Sequence, residues 1–468
     1  MKTIKTLITA ACTASLFLTP FAGAQEKKQA SCIHITNVTI FDGLNEKTLE
    51  ASVLIENNLI KSVGADVKAP ADATVIDGGG RFLMPGLIDG HVHFNLTGVF
   101  QTLAAGQNAD WDLIGVMSTV NAKDYIDDGF TTVRDIGGMS GVGLKKAVDD
   151  GYVPGPRIFA GGAIISQSSG HADFRLGPER LAGSGVGNME RLNISVTADG
   201  DAELRRAVRR NFSFQASHIK ICTGGGVSSV LDPLDSSGYS MGEIKAVVDE
   251  ATRYNTYVAA HCYQDVDVQR SLEAGVMCIE HGHMMSEKSL KLLVEKGAFL
   301  VLNTAAVSPS LASHPNYAPS TPSGKKLKIA LDGFKPLPEL IKKYKPKLVH
   351  NVDSVLQTVE SARNHRDHEK WVSAKMFGNF ETLKAMTSTA GELMALSGNR
   401  GTYQDGKIGV IEPGAYADII LVDGNPLDDL ACLGANEKWF DAEPREAGIP
   451  TIHLIMKDGK IYKNTLNK

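Results

Sequence analysis

Two histidines separated by a single residue, His91 and His93, follow an apolar run and have a spacing that could hold a metal ion. In a β-strand, residues i and i+2 point to the same face. Two imidazoles on one face can chelate an ion, because histidine nitrogens are common ligands of zinc and other first-row metals. A single pair of this kind often arises by chance, so its meaning depends on the residues that accompany it.

Further polar side chains end other apolar, strand-like runs along the chain: Lys220, His261, His281 and Asp353. A lysine is rarely buried in such a run without a partner. Each of these residues has an ordinary structural explanation, such as a hydrogen-bonded core histidine or a lysine whose stem covers apolar surface. Their joint occurrence at strand ends favours one shared metal site.

Eight strand-like runs position these side chains, and helical patterns such as 240–254 and 286–296 separate several of them. The runs cover 87–94, 131–137, 157–162, 218–223, 257–262, 278–282, 298–303 and 347–353. Alternating strands and helices are typical of parallel βα units, and eight of them predict an α/β fold of the (β/α)8 TIM-barrel type. A doubly wound sheet is the alternative, but no G-x-G-x-x-G motif follows an early strand.

Short alternating strands with turn residues stand on both sides of this region. We therefore predict a barrel at 86–395 and a small β-sandwich domain built from both chain ends, with parts at 25–85 and 396–468. In a barrel, active sites lie at the carboxyl ends of the strands, where the candidate ligands stand. Residues 305–346 are rich in Pro, Ser and Lys, and are predicted to be a partly helical lid or binding element.

The first residues have the layout of a secretory signal peptide at 1–24. Lys2 and Lys5 precede an apolar run at 7–21, and the small residues at 22–24 suit a cleavage site. The apolar run is short for a membrane span. We expect export to the periplasm or the medium, with an uncleaved anchor as the alternative.

The composition argues against several classes of partner. The chain has 468 residues, of which 43% are hydrophobic and 22% charged, as in soluble globular proteins. Its formal net charge is -5, whereas nucleic-acid-binding proteins normally carry an excess of basic residues. No membrane segment is expected after the signal. Five cysteines follow the signal without paired spacing, so a disulfide scaffold is not predicted.

Two longer motifs resemble the amidohydrolase superfamily. They are MPGLIDGHVH at 84–93 and GVIEPGAYADII at 409–420. The order of the candidate ligands along the strands is similar to the pattern of that superfamily. Within it, the chain resembles the imidazolonepropionase-like and prolidase-like metal-dependent peptidases, whose loop after strand 3 is similar to SQSSGHAD at 166–173. The resemblance covers nearly all of the chain beyond the signal.

The resemblance implies a site with two divalent metal ions, most simply zinc. His91 and His93 would bind one ion together with Asp353, which would also transfer protons. Lys220, carboxylated on its amine, would bridge both ions, and the second ion would be held by His261 and His281. The two ions would share and activate a water molecule.

The chain departs from the family pattern at strand 8, where it has Asn351-Val352-Asp353 instead of Gly-Thr-Asp. Asp353 remains the expected ligand because of the strand pattern and the Ser-Val that follows. Asp367 is a competitor, although the charged stretch 364–370 around it is expected to be solvated.

Several neighbouring residues could serve the same site. The resemblance implies that His171 lies near the scissile carbonyl, with a surface histidine as the alternative, and Tyr263 could contact a substrate carboxylate. His283 is expected to lie behind the ligands, and His218 to line the pocket or to pack.

We also expect Arg134 and Asp135 to form a structural ion pair beneath the site. They lie within the second strand-like run, where charged side chains are rarely buried without a partner.

The implied reaction is hydrolysis of the amide bond of a dipeptide or an N-acyl amino acid, such as release of phenylalanine from ochratoxin A. A deaminase, a cyclic-amidine hydrolase or a lactonase on the same barrel is the alternative, and a non-catalytic binding relative is a third. The bridging Lys220 argues against a mononuclear deaminase. The resemblance also implies a homo-oligomer.

Overall fold

The computed structural model describes residues 32–104, 109–181, 183–229 and 231–466, and the predicted signal peptide at 1–24 lies outside them. The strands are β1 (Cys32–Ile40), β2 (Leu49–Glu56), β3 (Leu59–Gly64), β4 (Thr74–Pro85), β5 (Leu87–Val92), β6 (Phe130–Asp135), β7 (Arg157–Ala160), β8 (Ile164–Ser166), β9 (Ser195–Thr197), β10 (Ile219–Cys222), β11 (Val258–Gln264), β12 (Cys278–Met284), β13 (Phe299–Leu302), β14 (Lys347–His350), β15 (Ile419–Val422), β16 (Ile452–Lys457) and β17 (Lys460–Asn464).

The helices are α1 (Phe100–Ala104), α2 (Trp111–Asp127), α3 (Ser140–Asp149), α4 (Asn188–Arg191), α5 (Gly200–Ser213), α6 (Met241–Arg253), α7 (Asp265–Ala274), α8 (Glu287–Glu295), α9 (Pro322–Phe334), α10 (Leu337–Tyr344), α11 (Val359–Phe377), α12 (Asn379–Ala385) and α13 (Ser388–Ala395). Helices α6 and α8 match the two helical patterns in the sequence. Each begins after a serine whose side chain accepts a backbone hydrogen bond from the first turn. Among the described residues, no helix has the length and apolar character needed to cross a membrane.

Strands from both chain ends share one seven-stranded sheet, in the order β17-β16-β15-β4-β1-β2-β3. Strand β4 pairs in parallel with β1 and antiparallel with β15, so the two ends of the chain meet along it. The apolar face of this sheet buries residues such as Ile35, Val53 and Leu421. The predicted two-sheet sandwich is not confirmed, because these strands belong to a single hydrogen-bonded sheet.

The middle of the chain forms parallel sheets. Seven strands run in the order β14-β13-β12-β11-β10-β8-β9, and three in the order β5-β6-β7. The backbone N–H of Ser217 donates to the carbonyl of Ala160 at 2.7 Å, which joins the two sheets at one edge. The N–H of Asp353 donates to the carbonyl of His91 at 3.2 Å and joins them at the other. This arrangement is consistent with a TIM-like barrel, and each of the eight predicted strand-like runs overlaps one of its strands.

Glycine permits the close approach of the first and last of these strands. A Cβ atom at Gly90 would lie 2.5 Å from the side chain of Val349 and 3.0 Å from the carbonyl of His350. Such distances are too short for a real side chain. The inner side chains below this level form a compact core, including Ile88, Ala259, Phe299 and Val349. The polar residues at the carboxyl ends therefore rest on a filled interior.

Two segments outside the parallel strands, residues 305–346 and helix α11, can be compared with the sequence predictions. Residues 305–346 contain three short 3-10 turns followed by helices α9 and α10, in agreement with a partly helical element. The stretch 364–370 lies within α11, where all seven side chains are buried. The expectation that this stretch is solvated was wrong, because its charges are paired inside the protein: Arg366 bonds Asp128 at 2.7 Å, and Arg445 bonds Asp367 at 3.1 Å. Asp367 is thereby committed to an ion pair.

Candidate metal centre and active site

A cavity of about 1120 Å³, counting its open mouth, lies at the carboxyl ends of the parallel strands. All of the predicted ligands and substrate contacts line it: His91, His93, His171, Lys220, His261, Tyr263, His281 and Asp353. They come from strands or loops far apart in sequence, so the fold alone brings them together.

The deepest ligand group consists of His91, His93 and Asp353, and one potential ligand atom from each lies within 4.8 Å of the others. The Nε2 atoms of the two histidines are 3.2 Å apart. Each of them is 3.6 Å from Oδ1 of Asp353. Three ligand atoms that converge in this way, on largely buried side chains, can hold one cation.

Glu280 and Arg134 support this group from below. Oε2 of Glu280 lies 2.7 Å from Nδ1 of His91. Its other oxygen accepts from the Arg134 guanidinium at 2.6 Å, and both side chains are fully buried. A carboxylate at Nδ1 fixes the ring of a metal-binding histidine and leaves Nε2 for the metal. The sequence places Glu280 at a strand end, but its partners only become visible in the fold.

Strand β12 departs from regular geometry at the site. Successive residues of a strand point to opposite faces, yet Glu280 and His281 both face the cluster around His91. The backbone of His281 has a φ of 72°, which lies in the left-handed region and turns its ring back toward the cavity. The ring is then held by Oδ1 of Asn303, 3.0 Å from Nδ1. Strained residues of this kind concentrate at functional sites.

A second pair of ring nitrogens lies beside the first group. The rings of His261 and His281 have centroids 4.7 Å apart, and the ring of His281 is 5.2 Å from that of His91. Nε2 of His261 is buried and has no hydrogen-bond partner among the described residues. A buried ring nitrogen without a partner is unfavourable unless a ligand occupies it.

Lys220 projects from β10 into the same cavity and is only 3% exposed. Among the residues that the structure describes, it forms no ion pair with a carboxylate. Its positive charge contributes to holding the pKa values of His91 and His281 low, after burial as the larger cause. These histidines are therefore neutral at physiological pH, which is the form that binds metals.

Asp353 differs from the histidines in its electrostatics. Burial raises the pKa of its carboxyl to about 7, although the charge of Lys220 opposes this rise. Its backbone has a φ of 54°, in the left-handed region, which aims the side chain at the cavity instead of along the strand. A carboxyl that titrates near neutrality is suited to accepting and returning a proton.

His171 reaches the site from the loop after β8. Its ring stacks on that of His261, with centroids 3.7 Å apart and planes within 10°. Nδ1 lies 3.0 Å from Oγ of Ser229 and 3.3 Å from Oδ2 of Asp232. The partner Asp232 was not found by sequence reasoning, because nothing in its local pattern marks it. These contacts engage Nδ1 and fix the ring, so Nε2 is the nitrogen left for a contact in the cavity.

Of the other predicted residues, Tyr263 and His283 lie beside the ligand His281, whereas His218 packs elsewhere. Tyr263 packs against both His281 and His283, with ring centroids 5.3 and 5.0 Å away. His283 Nε2 lies 3.0 Å from the backbone carbonyl of Asn303, behind the ligands. His218 packs on Tyr257 instead, with centroids 5.4 Å apart.

The expected pairing of Arg134 with Asp135 is wrong. Adjacent strand residues face opposite sides, and Arg134 pairs with Glu280. Asp135 instead accepts a hydrogen bond from the backbone N–H of Gly137 at 3.1 Å.

Comparisons with known proteins agree with this geometry. A sequence profile of the Amidohydrolase family matches residues 82–360. The chain is 27% identical to an ochratoxinase from Aspergillus niger over 440 residues, which cover 91% of this chain and 85% of the relative. The sequence motifs also suggest a resemblance to bacterial ochratoxin A amidohydrolase, and the comparison supports it at the level of an ochratoxinase.

Solved structures give the same result. The chain is similar to a crystal structure of an amidohydrolase, with a TM-score of 0.79 and 31% identity. It is also similar to a prolidase complexed with N-methylphosphonate-L-proline, with a TM-score of 0.80 and 30% identity. Each comparison covers 93% of this chain and 100% of the other. The resemblance seen in the sequence motifs is confirmed, and the chain belongs to the amidohydrolase family of hydrolases.

Proposed function

We propose that this protein is a two-metal hydrolase that cleaves the amide bond of dipeptides or N-acyl amino acids. The observation that carries the proposal is the convergence of two ligand sets in one cavity. The first set, His91, His93 and Asp353, has its ligand atoms within 4.8 Å. The second, His261 and His281, lies beside it, and Lys220 lines the same cavity.

The donor atoms fit metal ions. Nδ1 of His91 and of His281 are engaged by Glu280 and Asn303, so each ring has Nε2 left for a cation. Nε2 of His261 is buried without a partner among the described residues. We propose that Lys220 is carboxylated and joins both sets. An ammonium offers only donors, whereas a carbamate offers two anionic oxygens.

Bound metal ions would polarise the amide carbonyl and lower the pKa of a nearby water. Asp353 would accept the proton of the attacking water and return it to the leaving nitrogen. His171 would act on the carbonyl oxygen. In the tautomer in which Nδ1 accepts from the Ser229 hydroxyl, Nε2–H can donate to the oxygen as negative charge develops there.

The relatives support the choice of an amide substrate. One is named an ochratoxinase, and a structural relative is a prolidase with a bound phosphonate analogue of a prolyl compound. We therefore propose ochratoxin A as one substrate, cleaved to ochratoxin alpha and phenylalanine. Tyr263, stacked beside His281 at the cavity wall, is proposed to contact the substrate.

The test is metal analysis of the purified protein together with amino acid release from a panel of N-acyl-phenylalanines that includes ochratoxin A. About two metal ions per chain and release that a chelator stops are expected. One metal ion per chain without release would favour the deaminase alternative. A metal-free protein that binds the same amides without cleaving them would favour the binding alternative.

We also propose that the protein is exported after cleavage near residue 24 and that it assembles as a homo-oligomer. The basis for export is the signal-like layout of residues 1–24. Intact-mass analysis of the protein from the periplasm or medium, with size-exclusion chromatography and light scattering, tests both statements. An intact N-terminus in the cytoplasm, or a monomer at physiological concentration, would contradict them.

A further inference from the structure

The cavity wall opposite the ligands is apolar and aromatic. Residues from the loop after β10, from 305–334 and from the C-terminal region form one buried cluster there, which includes Val227, Leu311, Tyr317, Leu327, Ala330 and Trp439. All six also line the cavity. Apolar walls with a few placed polar groups are typical of sites for small molecules.

Trp439 stands out within this wall. Only 2% of the residue is exposed, and its ring is fixed between His365 and Phe440, with centroids 3.9 and 4.2 Å away. Its Nε1–H is buried and has no hydrogen-bond partner among the described residues. A buried indole N–H normally finds an acceptor. In this position the acceptor can come from a molecule in the cavity.

The Trp439 ring lies close to the chemistry. Nδ1 of His365, on which the indole stacks, is 2.8 Å from Oγ of Ser354, the residue after Asp353. Lys220 and Asp353 are the only Lys, Arg, Asp or Glu side chains lining the cavity in the described part of the chain. Apart from the ligand cluster, the wall therefore offers ring surface and neutral hydrogen-bond donors.

We propose that this wall binds an aromatic group of the amide substrate and that the Trp439 Nε1–H donates to a substrate oxygen next to that group. The substrates would then be N-acyl amino acids or dipeptides that carry an aromatic ring, in preference to small aliphatic ones. The inference rests on the proposed hydrolysis for its kinetic test, but its binding test is independent of turnover.

The kinetic test compares acetyl-alanine, acetyl-phenylalanine and benzoyl-alanine in the wild type and in Trp439→Phe, which keeps a ring in the stack but removes the donor. The wild type is expected to favour at least one aromatic substrate. The variant should reduce that preference about tenfold, mainly through KM, the size of effect expected for one lost hydrogen bond. The smaller ring also removes buried packing, so the melting temperature should fall modestly while circular dichroism shows an intact fold. An unchanged preference would overturn the proposal.

Two further variants separate binding from structure. Trp371→Phe is the matched control, since Trp371 stacks on His368 but does not line the cavity, and it should retain the wild-type preference. Ala330→Phe fills the wall and should lower turnover of the aromatic substrates more than that of acetyl-alanine. Equal losses for all substrates would contradict an aromatic site.

Calorimetry on metal-stripped protein measures binding alone. Benzoyl-phenylalanine is expected to bind about tenfold more weakly to Trp439→Phe than to the wild type or Trp371→Phe. Equal dissociation constants in all three proteins would overturn the inference. If the metal-loaded wild type hydrolyses none of the amides while this difference in binding is found, the proposed hydrolysis fails and the aromatic site stands.

Discussion

The floor and the roof of the cavity are held together in different ways. The floor, made of His91, Arg134 and Glu280, is carried by parallel strands, and its buried groups are joined by charge-assisted contacts of 2.6 and 2.7 Å. The roof consists of the loop after β10, residues 305–334 and Trp439. That loop (residues 224–229 and 231–234) is called the strand-4 loop, because β10 corresponds to the fourth predicted barrel strand. The roof is held by contacts between segments that lie outside the strands.

One lysine forms the main connection within the roof. Lys326 of α9 donates to three backbone carbonyls of the strand-4 loop, those of Gly226, Ser229 and Asp232, at 3.0, 2.8 and 2.7 Å. Tyr317 adds a hydroxyl contact with Ser228 at 2.9 Å. Because Ser229 and Asp232 also hold His171, the roof orients one catalytic candidate. Under the proposed function, we therefore expect the floor to determine the chemistry and the roof to determine which substrate is positioned for it.

The largest effect is expected where the floor meets the proposed metals. Lys220→Ala and Asp353→Ala should each lower kcat by about 10²–10⁴-fold, because a bridging ligand or a proton-transfer group is lost. Circular dichroism should show an intact fold. Metal content should fall for Lys220→Ala, and the exposed Lys245→Ala on α6 serves as its control. Wild-type-like activity of metal-replete Asp353→Ala would refute its role as the base.

The second prediction tests the support beneath the ligands. Glu280→Gln leaves Arg134 buried without its carboxylate, which should cost about 3–5 kcal/mol of unfolding free energy. Metal affinity should fall about 10–100-fold, because the ring of His91 loses its partner. Chemical denaturation and metal titration measure the two effects. The double variant with Arg134→Met removes the orphaned charge and should recover part of the stability. No recovery would show that the buried pair does not account for the loss.

The third prediction concerns the roof alone. Lys326→Met removes three hydrogen bonds to the strand-4 loop and should lower kcat/KM about tenfold by loosening His171. Metal content should remain at the wild-type level, unlike in the floor variants. Lys328→Met on the same helix is the control, since the Lys328 side chain is 77% exposed and pairs with Asp332 of its own helix. Equal kinetics for the two variants would mean that the contacts of Lys326 do not position the site.

The smallest effect on turnover at neutral pH is expected at the ion pairs that anchor the segment after Trp439, because none of their side chains lines the cavity. Burial would raise the pKa of Asp128, but Arg366 and Arg445 more than offset it, so this pKa lies well below the ordinary value. A carboxyl whose pKa is lower in the folded state than in the unfolded state stabilises the fold at pH values above the unfolded pKa of about 3.9. This stabilisation is lost as the pH falls below that value. The unfolding free energy should therefore decrease below about pH 4.

The matching variant is Asp128→Asn. It should be less stable than the wild type at neutral pH, since it leaves the buried Arg366 without its ion partner, and its stability should depend less on acid. Urea denaturation across this pH range measures the difference. Identical acid profiles for the two proteins would show that other carboxylates dominate the response.

The candidate ligands above the floor could be predicted from sequence because they follow local rules. The i, i+2 spacing of His91 and His93 and the polar ends of apolar strands placed all of the candidate ligands at the cavity. The pairing of Glu280 could not be found in this way. Regular alternation along a strand would point the side chains of Glu280 and His281 to opposite faces. Only the left-handed backbone at His281 turns both side chains toward the cavity.

The roof and its anchor were largely beyond sequence reasoning. The charged stretch at 364–370 was expected to be solvated because its partners are remote. Arg366 and Asp128, for example, are 238 residues apart. Trp439 lies outside the strands and helices and has no periodic pattern, so its position in the cavity wall depends on tertiary packing. Long-range pairing of this kind has no local signature.

The seam between β5 and β14 has a consequence for how the protein matures. His91 and Asn351, which flank this seam, are 260 residues apart, and the N–H of Asp353 closes it on the carbonyl of His91. Contacts so distant in sequence form late during folding. A chain still emerging from the ribosome, or crossing a membrane unfolded, cannot assemble the His91, His93 and Asp353 cluster. Metal capture should therefore be one of the last events of folding, and the time course of metal uptake would report when the barrel closes.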